Sequence, residues 1–170
     1  MGSLVLSVVL LGVALYAIGD SVESDGPVFK QPLVALMPAN VGSVALEDTE
    51  SLDADAIVMF GAVDALSGEY SGDLKLLLLN YRSAALAAEA IDKVSIALFL
   101  PRAGWELTRA EPGQTKTRVT AGQEKTGRTA IVRPHGSLLL IIEGERAALT
   151  EFDALIDAQL IAPAEEVEAE

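Results

Sequence analysis

The chain has 170 residues, of which 51% are hydrophobic and 22% charged, and its formal net charge is −13 at pH 7. This acidity opposes contact with phosphate backbones, which select for patches of Lys and Arg, so no nucleic-acid partner is expected. The chain contains no cysteine, which excludes disulfides, thiolate metal sites and cysteine nucleophiles. Its length suits one domain of about 100–150 residues with appendages.

The first nineteen residues, MGSLVLSVVLLGVALYAIG, carry no charged side chain. As a helix with a rise of about 1.5 Å per residue they would span roughly 28 Å, close to the thickness of a hydrocarbon core of about 30 Å. We therefore predict a transmembrane anchor at 1–19. A signal peptide is the main alternative, because Ala17-Ile18-Gly19 resembles a cleavage site, although no basic residue precedes the apolar run. A buried helix of a soluble fold is the third.

The flanks of the predicted anchor set its orientation and its packing. Neither flank is basic, and the acidic stretch that follows favours a single-pass cell-membrane protein whose C-terminal domain is extracytoplasmic (periplasmic). Gly12 and Ser7 are small residues of the kind that membrane helices use for close packing against neighbours. Residues 20–32 are polar and contain Gly26-Pro27 and Pro32, which predicts a stalk or linker.

Residues 33–162 are predicted to form an extracytoplasmic α+β domain. Its first part, 33–46, is punctuated by proline and glycine and predicts a short strand or loop. The stretch 54–66 favours a strand through its β-branched residues, but a helix stays open. Residues 73–81, DLKLLLLNY, predict a strand that is buried on both faces at its centre.

The segment 84–98 predicts a helix, because it is rich in Ala and follows Ser83, a good N-cap. Helical spacing assigns its inner face to Leu86, Ala90, Ile91, Val94 and Leu98.

Strands are predicted at 105–110 and 115–120. A hairpin joins 128–133 to 137–143 through Pro134-His135-Gly136, and Gly144 is expected to end the sheet.

A second helix is predicted at 146–161, with Leu149, Phe152, Leu155, Ile156 and Leu160 facing inward. The element order ββαββββα predicts a largely antiparallel sheet with two helices packed on one face. Residues 163–170, with four glutamates after Pro163, predict an acidic disordered tail.

No motif predicts catalytic, cofactor-binding or metal-ligating residues. His135 is the only histidine, so a metal site or a serine triad would have to be built on it, and its place between Pro and Gly favours a turn residue. The acidic run 47–55 lacks the glycine and glutamate that a calcium loop needs at its sixth and twelfth positions. Because no glycine pattern opens a helix after a strand, no cofactor is predicted.

Charge is unevenly distributed along the chain. Residues 31–74 contain eight acids and no Lys or Arg, whereas 102–133 contain seven cations and three glutamates. Separate acidic and basic surfaces would orient docking onto partner subunits; the equal alternative is that the two groups neutralise each other within the fold. The candidate docking residues are Arg109, Lys116, Arg118 and Arg128.

These observations favour a non-enzymatic, membrane-anchored accessory subunit of a larger membrane protein complex, whose partners are other membrane subunits and, through the anchor, the lipid bilayer. A membrane-tethered binding domain for a small ligand or a cell-wall polymer is the alternative. A hydrolase that uses carboxylates alone is a third, weaker hypothesis.

Overall fold

A computed structural model describes residues 27–109 and 119–160. The strands of the described part are β1 Asn40–Val41, β2 Val44–Ser51, β3 Asp64–Tyr70, β4 Leu74–Asn80, β5 Trp105–Arg109, β6 Val119–Gln123, β7 Arg128–His135 and β8 Leu138–Glu145. The helices are α1 Leu33–Leu36, α2 Ala54–Phe60, α3 Ala84–Phe99 and α4 Arg146–Gln159. The predicted α+β class with an antiparallel sheet is confirmed.

The sheet consists of two meanders that meet at its centre. Its strand order is β1-β2-β3-β4-β8-β7-β6-β5, and every neighbouring pair is antiparallel. The chain runs inward from β1 to β4, crosses through α3 to the opposite edge at β5, and returns inward to β8. Strands β4 and β8, which are far apart in sequence, therefore lie side by side.

The central strands are buried on both faces, as predicted for β4. Leu76 and Leu78 belong to one core cluster, which includes Phe152 of α4, whereas Leu79 belongs to a second cluster, which includes Ile91 of α3. Successive side chains of a strand point to opposite faces, so the two clusters lie on opposite sides of the sheet. The prediction that both helices pack on one face is therefore wrong: α3 covers one face and α4 the other.

The stretch 54–66 divides between a helix and a strand. The Asp53 side chain accepts a hydrogen bond from the Ala56 N–H at 2.7 Å and caps α2, and Gly61, with φ +74°, ends it. Strand β3 begins three residues later, at Asp64. The preference for a strand across the whole stretch was wrong because this N-cap and C-cap pair defines a short helix. The earlier stretch 33–46 likewise contains the single-turn helix α1 before β1.

Two predicted inward-facing leucines point outward instead. Leu86 is 44% exposed because the buried face of α3 is rotated from the predicted one, whereas Leu155 is 37% exposed because it lies at the edge of the predicted face of α4, which is otherwise buried. On α3 the buried face also includes Ala87, Ser95 and Phe99.

The β7–β8 hairpin is longer than predicted. Pro134 and His135 belong to β7, Gly144 belongs to β8, and the turn lies at Gly136-Ser137. Gly144 continues the sheet because its missing side chain leaves room for Leu74 of the neighbouring strand.

The chain from Pro27 onward is bound to one end of the sheet. Phe29 is 2% exposed, its N–H donates to Ser137 Oγ at 2.9 Å, and its carbonyl oxygen accepts from Asn80 Nδ2 at 3.1 Å. The buried Ser137 hydroxyl donates to Asn80 Oδ1 at 3.0 Å, and the Ser137 N–H donates to the Pro27 carbonyl oxygen at 2.8 Å. The folded domain thus reaches into the predicted linker. We call these contacts of Pro27, Phe29, Asn80 and Ser137 the N-terminal clamp.

The predicted anchor at 1–19 and the predicted tail at 163–170 lie outside the described residues. Within the described ranges, no helix combines the length and the apolar character needed to cross a membrane.

A first prediction concerns the two-sided core. Replacing Leu78 with Ala should lower the free energy of unfolding by about 2–5 kcal/mol, because a fully buried side chain leaves a cavity as well as losing apolar contacts. Leu86→Ala is the matched control, and its half-exposed side chain should change stability by less than about 1 kcal/mol. Equal losses in chemical denaturation would contradict the assigned faces.

A second prediction concerns the N-terminal clamp. Gly136 and Gly127 both have positive φ, +57° and +68°, so alanine at either site should cost about 1–2 kcal/mol of backbone strain. A Cβ at Gly136 would also overlap the Pro27 carbonyl oxygen, whereas a Cβ at Gly127 meets nothing within 4 Å. Gly136→Ala should therefore reduce the melting temperature more than Gly127→Ala. If the two variants have the same melting temperature, the clamp contributes nothing to stability.

Candidate functional site

A polar cleft of about 680 Å³ lies where α4 begins beside β5, β6 and β7. Its walls carry threonines, glycines, two carboxylates and two arginines. The lining residues in the described part are Glu106, Thr108, Thr120, Gly122, Gln123, Glu124, Gly127, Arg128, Thr129 and Arg146. No aromatic ring is among them. Such a lining suits hydrogen bonding and ion pairing rather than stacking on a flat ring.

Strand register explains how the floor of the cleft forms. Thr108 on β5 lies opposite Thr120 on β6, which lies opposite Ile131 on β7. Ile131 belongs to the core cluster on the α4 side, so the two threonines point to that same face. Beside this row, Glu106, Gly122 and Thr129 form a second row. The cleft floor is therefore two cross-strand rows of polar or small residues that continue the apolar face under α4.

Thr129 is the least satisfied polar group of the cleft. It is 5% exposed, and its Oγ1 has no hydrogen-bond partner among the residues described. Burying a hydroxyl without a partner costs about 1–3 kcal/mol, so such an atom requires an explanation. The oxygen itself has almost no accessible surface, so it is not open to a molecule in the cleft, and its burial is a cost to the stability of this part of β7.

The first turn of α4 adds a positive end to the cleft. Arg146 is the first residue of this fourteen-residue helix and lines the cleft, and the N-cap residue Glu145 forms no side-chain cap. No acidic residue lies in the first turn. The partial positive charge of a helix N-terminus favours an anionic group at this position. Within the described ranges, Arg146 makes no ion pair.

Arg128, a predicted docking residue, is held by carboxylates of the same chain. Its guanidinium donates to Asp73 and, at 3.3 Å, to Glu143. Burial opposes its charge, but these two carboxylates raise its pKa above the ordinary value. Glu143 also accepts from Arg102 at 2.8 Å, and the Arg102 guanidinium lies 5.4 Å from the centre of the Phe99 ring. Arg128 is therefore a structural cation at the rim of the cleft.

A second ionic cluster joins β7 to α4. Arg133 donates to Asp153 at 2.7 Å and lies 2.9 Å from Asp157, which is 3.3 Å from His135 Nδ1. Burial opposes the charge of Arg133, yet the hydrogen bonds that it donates to these carboxylates raise its pKa. His135 also lies 5.7 Å, ring centre to ring centre, from Phe29. The only histidine thus packs beside the N-terminal clamp.

The other predicted site residues are dispersed or outside the described part. Asp48 accepts from the neighbouring Thr49 N–H, and Asp53 caps α2, so the acidic run is spread over a strand and a helix end. No group of three potential metal ligands occurs among the residues described. Arg109 ends β5. The predicted docking residues Lys116 and Arg118 and the predicted packing residues Gly12 and Ser7 lie outside the described residues.

Ion pairs within the chain explain part of the uneven distribution of acidic and basic residues along the sequence. Three cations of the basic stretch, Arg102, Arg128 and Arg133, pair with carboxylates of this chain. Only Asp73 among those carboxylates comes from the acidic stretch. Neutralisation within the fold therefore accounts for part of the pattern, and it acts mostly through acids of β8 and α4.

Comparison with known proteins gives little further guidance. No protein-family model and no curated protein matches the chain. One similar solved structure is that of a GTP binding regulator from Thermotoga maritima, with 14% identity and a TM-score of 0.43. The match covers 73% of this chain and 80% of that one.

The sequence analysis missed the cleft altogether. Its residues come from β5, β6, β7 and α4, and none of them forms a recognisable motif. The predicted exposed strand at 115–120 contains one residue of the described lining, Thr120, and its composition did not indicate a cleft. Which side chains of a strand face the cleft depends on long-range strand pairing, and the sequence pattern does not specify that pairing.

Tyr81 and Tyr70 have displaced pKa values that arise from the core rather than from the cleft. Burial raises the pKa of Tyr81 from 10.0 to about 12 and raises that of Tyr70 further. The Tyr81 hydroxyl donates to the Phe60 carbonyl oxygen at 3.3 Å, and the Tyr70 hydroxyl donates to the Pro38 carbonyl oxygen at 2.8 Å. Displaced pKa values often mark functional sites, but here desolvation within the core explains them.

A third prediction follows for alkaline pH. The folded-state pKa of Tyr81 is raised, so the folded protein holds this proton more tightly than the unfolded chain. Its contribution is complete below pH 10 and is lost as the pH rises towards about 12, by roughly 2 kcal/mol. Tyr81→Phe should therefore lose less stability than the wild type over this interval in denaturation at stepped pH. If the free energy of unfolding falls equally with pH in both proteins, the pKa of Tyr81 is the same in the folded and unfolded states, and the prediction is wrong.

Proposed function

We propose that the protein is a non-enzymatic, membrane-anchored accessory subunit of a larger membrane protein complex. Residues 1–19 span the cell membrane once, and the α+β domain lies on the extracytoplasmic (periplasmic) side. Other membrane subunits are its partners through the anchor. The observation that best supports this function is the N-terminal clamp, because it fixes where the chain that follows the anchor enters the domain.

The segment between the proposed anchor and the N-terminal clamp is short, which limits how far the domain can lie from the membrane. Seven residues, 20–26, separate the anchor from Pro27, and a fully extended chain of that length reaches at most about 25 Å. The end of the sheet that carries Asn80 and Ser137 is therefore held close to the membrane. A domain attached in this way has a restricted orientation, as a subunit that covers one part of a complex requires.

Exposed apolar side chains gather at this same end of the domain. Val28 follows Pro27, and the Val63 N–H donates to the Asn80 carbonyl oxygen. Met59 lies in the last turn of α2, which precedes Val63, and Leu86 lies in the first turn of α3, which follows Tyr81. All four side chains are more than two-fifths exposed. In the proposed arrangement these side chains lie on the membrane-proximal side, where a partner subunit would contact them.

The charged surfaces contribute less to the proposed association. Exposed ion pairs are worth about 0–1 kcal/mol each and are screened by salt. Of the four predicted docking residues, Arg128 is already paired within the chain. In this proposal, most of the association with partner subunits therefore comes from close packing of the anchor around Gly12 and Ser7.

A fourth prediction tests the anchor-centred association. Gly12→Leu should reduce co-purification with other membrane proteins after solubilisation in mild detergent, because the larger side chain prevents close helix contact. Val13→Leu adds bulk at a neighbouring position that already carries a large side chain, and it should co-purify like the wild type. The circular dichroism spectrum and melting temperature of the domain should be the same in both variants.

Two results would overturn the proposal. One is migration of the wild-type chain as a lone monomer in mild detergent. The other is an intact mass for the native protein that begins near Asp20, which would show that the first segment is a cleaved signal peptide.

The alternative function, a membrane-tethered binding domain, is favoured by one specific observation. The polar cleft at the start of α4 is lined by Arg146, a cation that makes no ion pair in the described part of the chain. The cleft lies at the β7 end opposite the clamp, because Thr129 is near the start of β7 and His135 is at its end. In a tethered domain it would face away from the membrane.

A further inference from the structure

We infer that the end of the domain around the N-terminal clamp rests on the lipid surface, with exposed apolar side chains at the headgroup level and Lys30 and Arg82 at lipid phosphates. The inference rests on the proposed anchor and extends the contact with lipid from the anchor to the folded domain. Lipid surrounds such an anchor wherever a partner subunit does not cover it. It is therefore the neighbour that this end of the domain meets before any complex forms.

Hydrogen bonds bring several segments of the chain together at this end. Beyond the contacts of the clamp itself, the Tyr81 N–H donates to the Ser137 carbonyl oxygen and the Val63 N–H donates to the Asn80 carbonyl oxygen, both at 2.8 Å. The Tyr81 hydroxyl donates to the Phe60 carbonyl oxygen at 3.3 Å. The clamp segment, the end of α2, the residue before β3, the end of β4 and the β7–β8 turn are therefore neighbours.

The exposed apolar side chains at this end come from segments that are distant in the sequence. Val28 lies in the clamp segment, Met59 at the end of α2, Val63 just before β3, and Leu86 in the first turn of α3, which follows β4. Folding therefore collects them at one end of the domain. Apolar side chains at the surface of a membrane gain free energy when they leave water for the boundary between headgroups and acyl chains.

Two cations flank these apolar side chains. Lys30 follows Phe29 of the clamp, and Arg82 follows Tyr81. Both are exposed, and neither makes an ion pair within the described ranges. Lys and Arg lay their carbon chains along apolar surface while the charged group reaches a polar one. Beside a bilayer, that polar group is a lipid phosphate.

The acids of the domain favour the same orientation. Two strands carry acids at the end away from the clamp, where Asp48 of β2 lies opposite Glu69 of β3. At the clamp end, Asp64 accepts a hydrogen bond from the Ala65 N–H at 2.9 Å, and Asp157 forms part of the ionic cluster of α4 and β7. An anionic lipid surface attracts nearby Lys and Arg and repels carboxylates. Such a surface therefore favours the clamp end over the far end of β2 and β3.

The short tether allows a weak contact to be sufficient. Residues 20–26 hold the clamp within about 25 Å of the proposed anchor, so the lipid surface is present at a high effective concentration. A few apolar side chains and two cations would not keep a free protein on a membrane. In a tethered domain, the same contact fixes which end faces the lipid.

Single spin labels can test this contact, because the chain contains no cysteine. Val63→Cys and Leu86→Cys place a label in the proposed contact. Lys125→Cys is the matched control, since this exposed residue lies in the β6–β7 turn at the other end of the sheet. Each labelled full chain is reconstituted alone into vesicles of phosphatidylcholine, with or without about one quarter phosphatidylglycerol.

Electron paramagnetic resonance then compares the access of each label to oxygen, which enters lipid, and to a nickel chelate, which stays in water. We expect the ratio of oxygen access to nickel access to be severalfold higher at positions 63 and 86 than at position 125. Phosphatidylglycerol should raise this ratio further at positions 63 and 86 only. All three positions are exposed, so the labelled variants should keep the wild-type melting temperature.

Charge variants assign the role of the two cations. In the Val63→Cys background, Lys30→Gln combined with Arg82→Gln should abolish the effect of phosphatidylglycerol and leave the ratio in pure phosphatidylcholine higher than that of the control label. Lys125→Gln combined with Arg146→Gln removes two exposed cations from the far end of the sheet, and it should leave the effect of phosphatidylglycerol unchanged. Equal effects of the two double variants would show that net charge, and not the clamp end, responds to the lipid.

A label at Val13→Cys separates this inference from the proposed anchor. If that label lies deep in the bilayer while positions 63 and 86 stay in water, the domain does not touch lipid and the inference is wrong, although the anchor remains. If the label at position 13 stays in water, the anchor fails and the inference with it. If positions 63 and 86 leave water only in complexes co-purified from the native membrane, a partner subunit covers this end instead of lipid, and the inference is wrong.

Discussion

The pairing of β4 with β8 determines most of this structure. Leu76, Leu78, Leu140 and Ile142 are almost completely buried on one face, while Leu79, Leu139 and Ile141 are buried on the other. A strand pair that is apolar on both sides must be covered on both sides, since each uncovered face would expose several hundred square ångströms of apolar surface, roughly the largest patch seen on soluble proteins. The two long helices consequently lie on opposite faces. The two meanders hold the central pair between less apolar strands.

This arrangement gives the two ends of β7 different chemistry. Near Ser137, polar groups are paired among themselves and hold the chain at Pro27 and Phe29. Near Thr129, a hydroxyl is left without a partner in the described ranges, and the sheet extends beyond the cover of α4. Six residues of strand, about 20 Å, separate Thr129 from His135. Attachment to the membrane and, in the alternative function, binding at the cleft would therefore take place at opposite ends of one rigid element.

The elements that could be predicted from the sequence are those that depend on interactions between residues close together in the chain. The β4 strand and the helix after Ser83 were correctly predicted, because continuous leucines and an N-cap before an alanine-rich run are local signals. For residues 54–60 a strand was preferred over the helix that is present because β-branched residues suggested a strand, whereas Asp53 and Gly61 act as caps of α2. The error about the helix faces had a different origin. A strand that is buried on both faces requires a helix on each face. The burial pattern of β4, and not the order of the elements, therefore determines that α3 and α4 lie on opposite faces.

The cleft shows where sequence reasoning stops. Glu106, Gly122 and Thr129 meet only because β5, β6 and β7 pair in one particular register, and a shift by one residue would turn Thr129 to the other face. Valine has nearly the shape of threonine and would fill the same buried position without an unsatisfied hydroxyl, so packing alone gives no reason for threonine there. Its hydroxyl is buried and has no partner in the described ranges, so threonine lowers the stability of this position rather than raising it. The start of α4, Arg146 and Glu106 line this same cleft although they are far apart in sequence, because strand pairing, which no local motif encodes, brings their elements together.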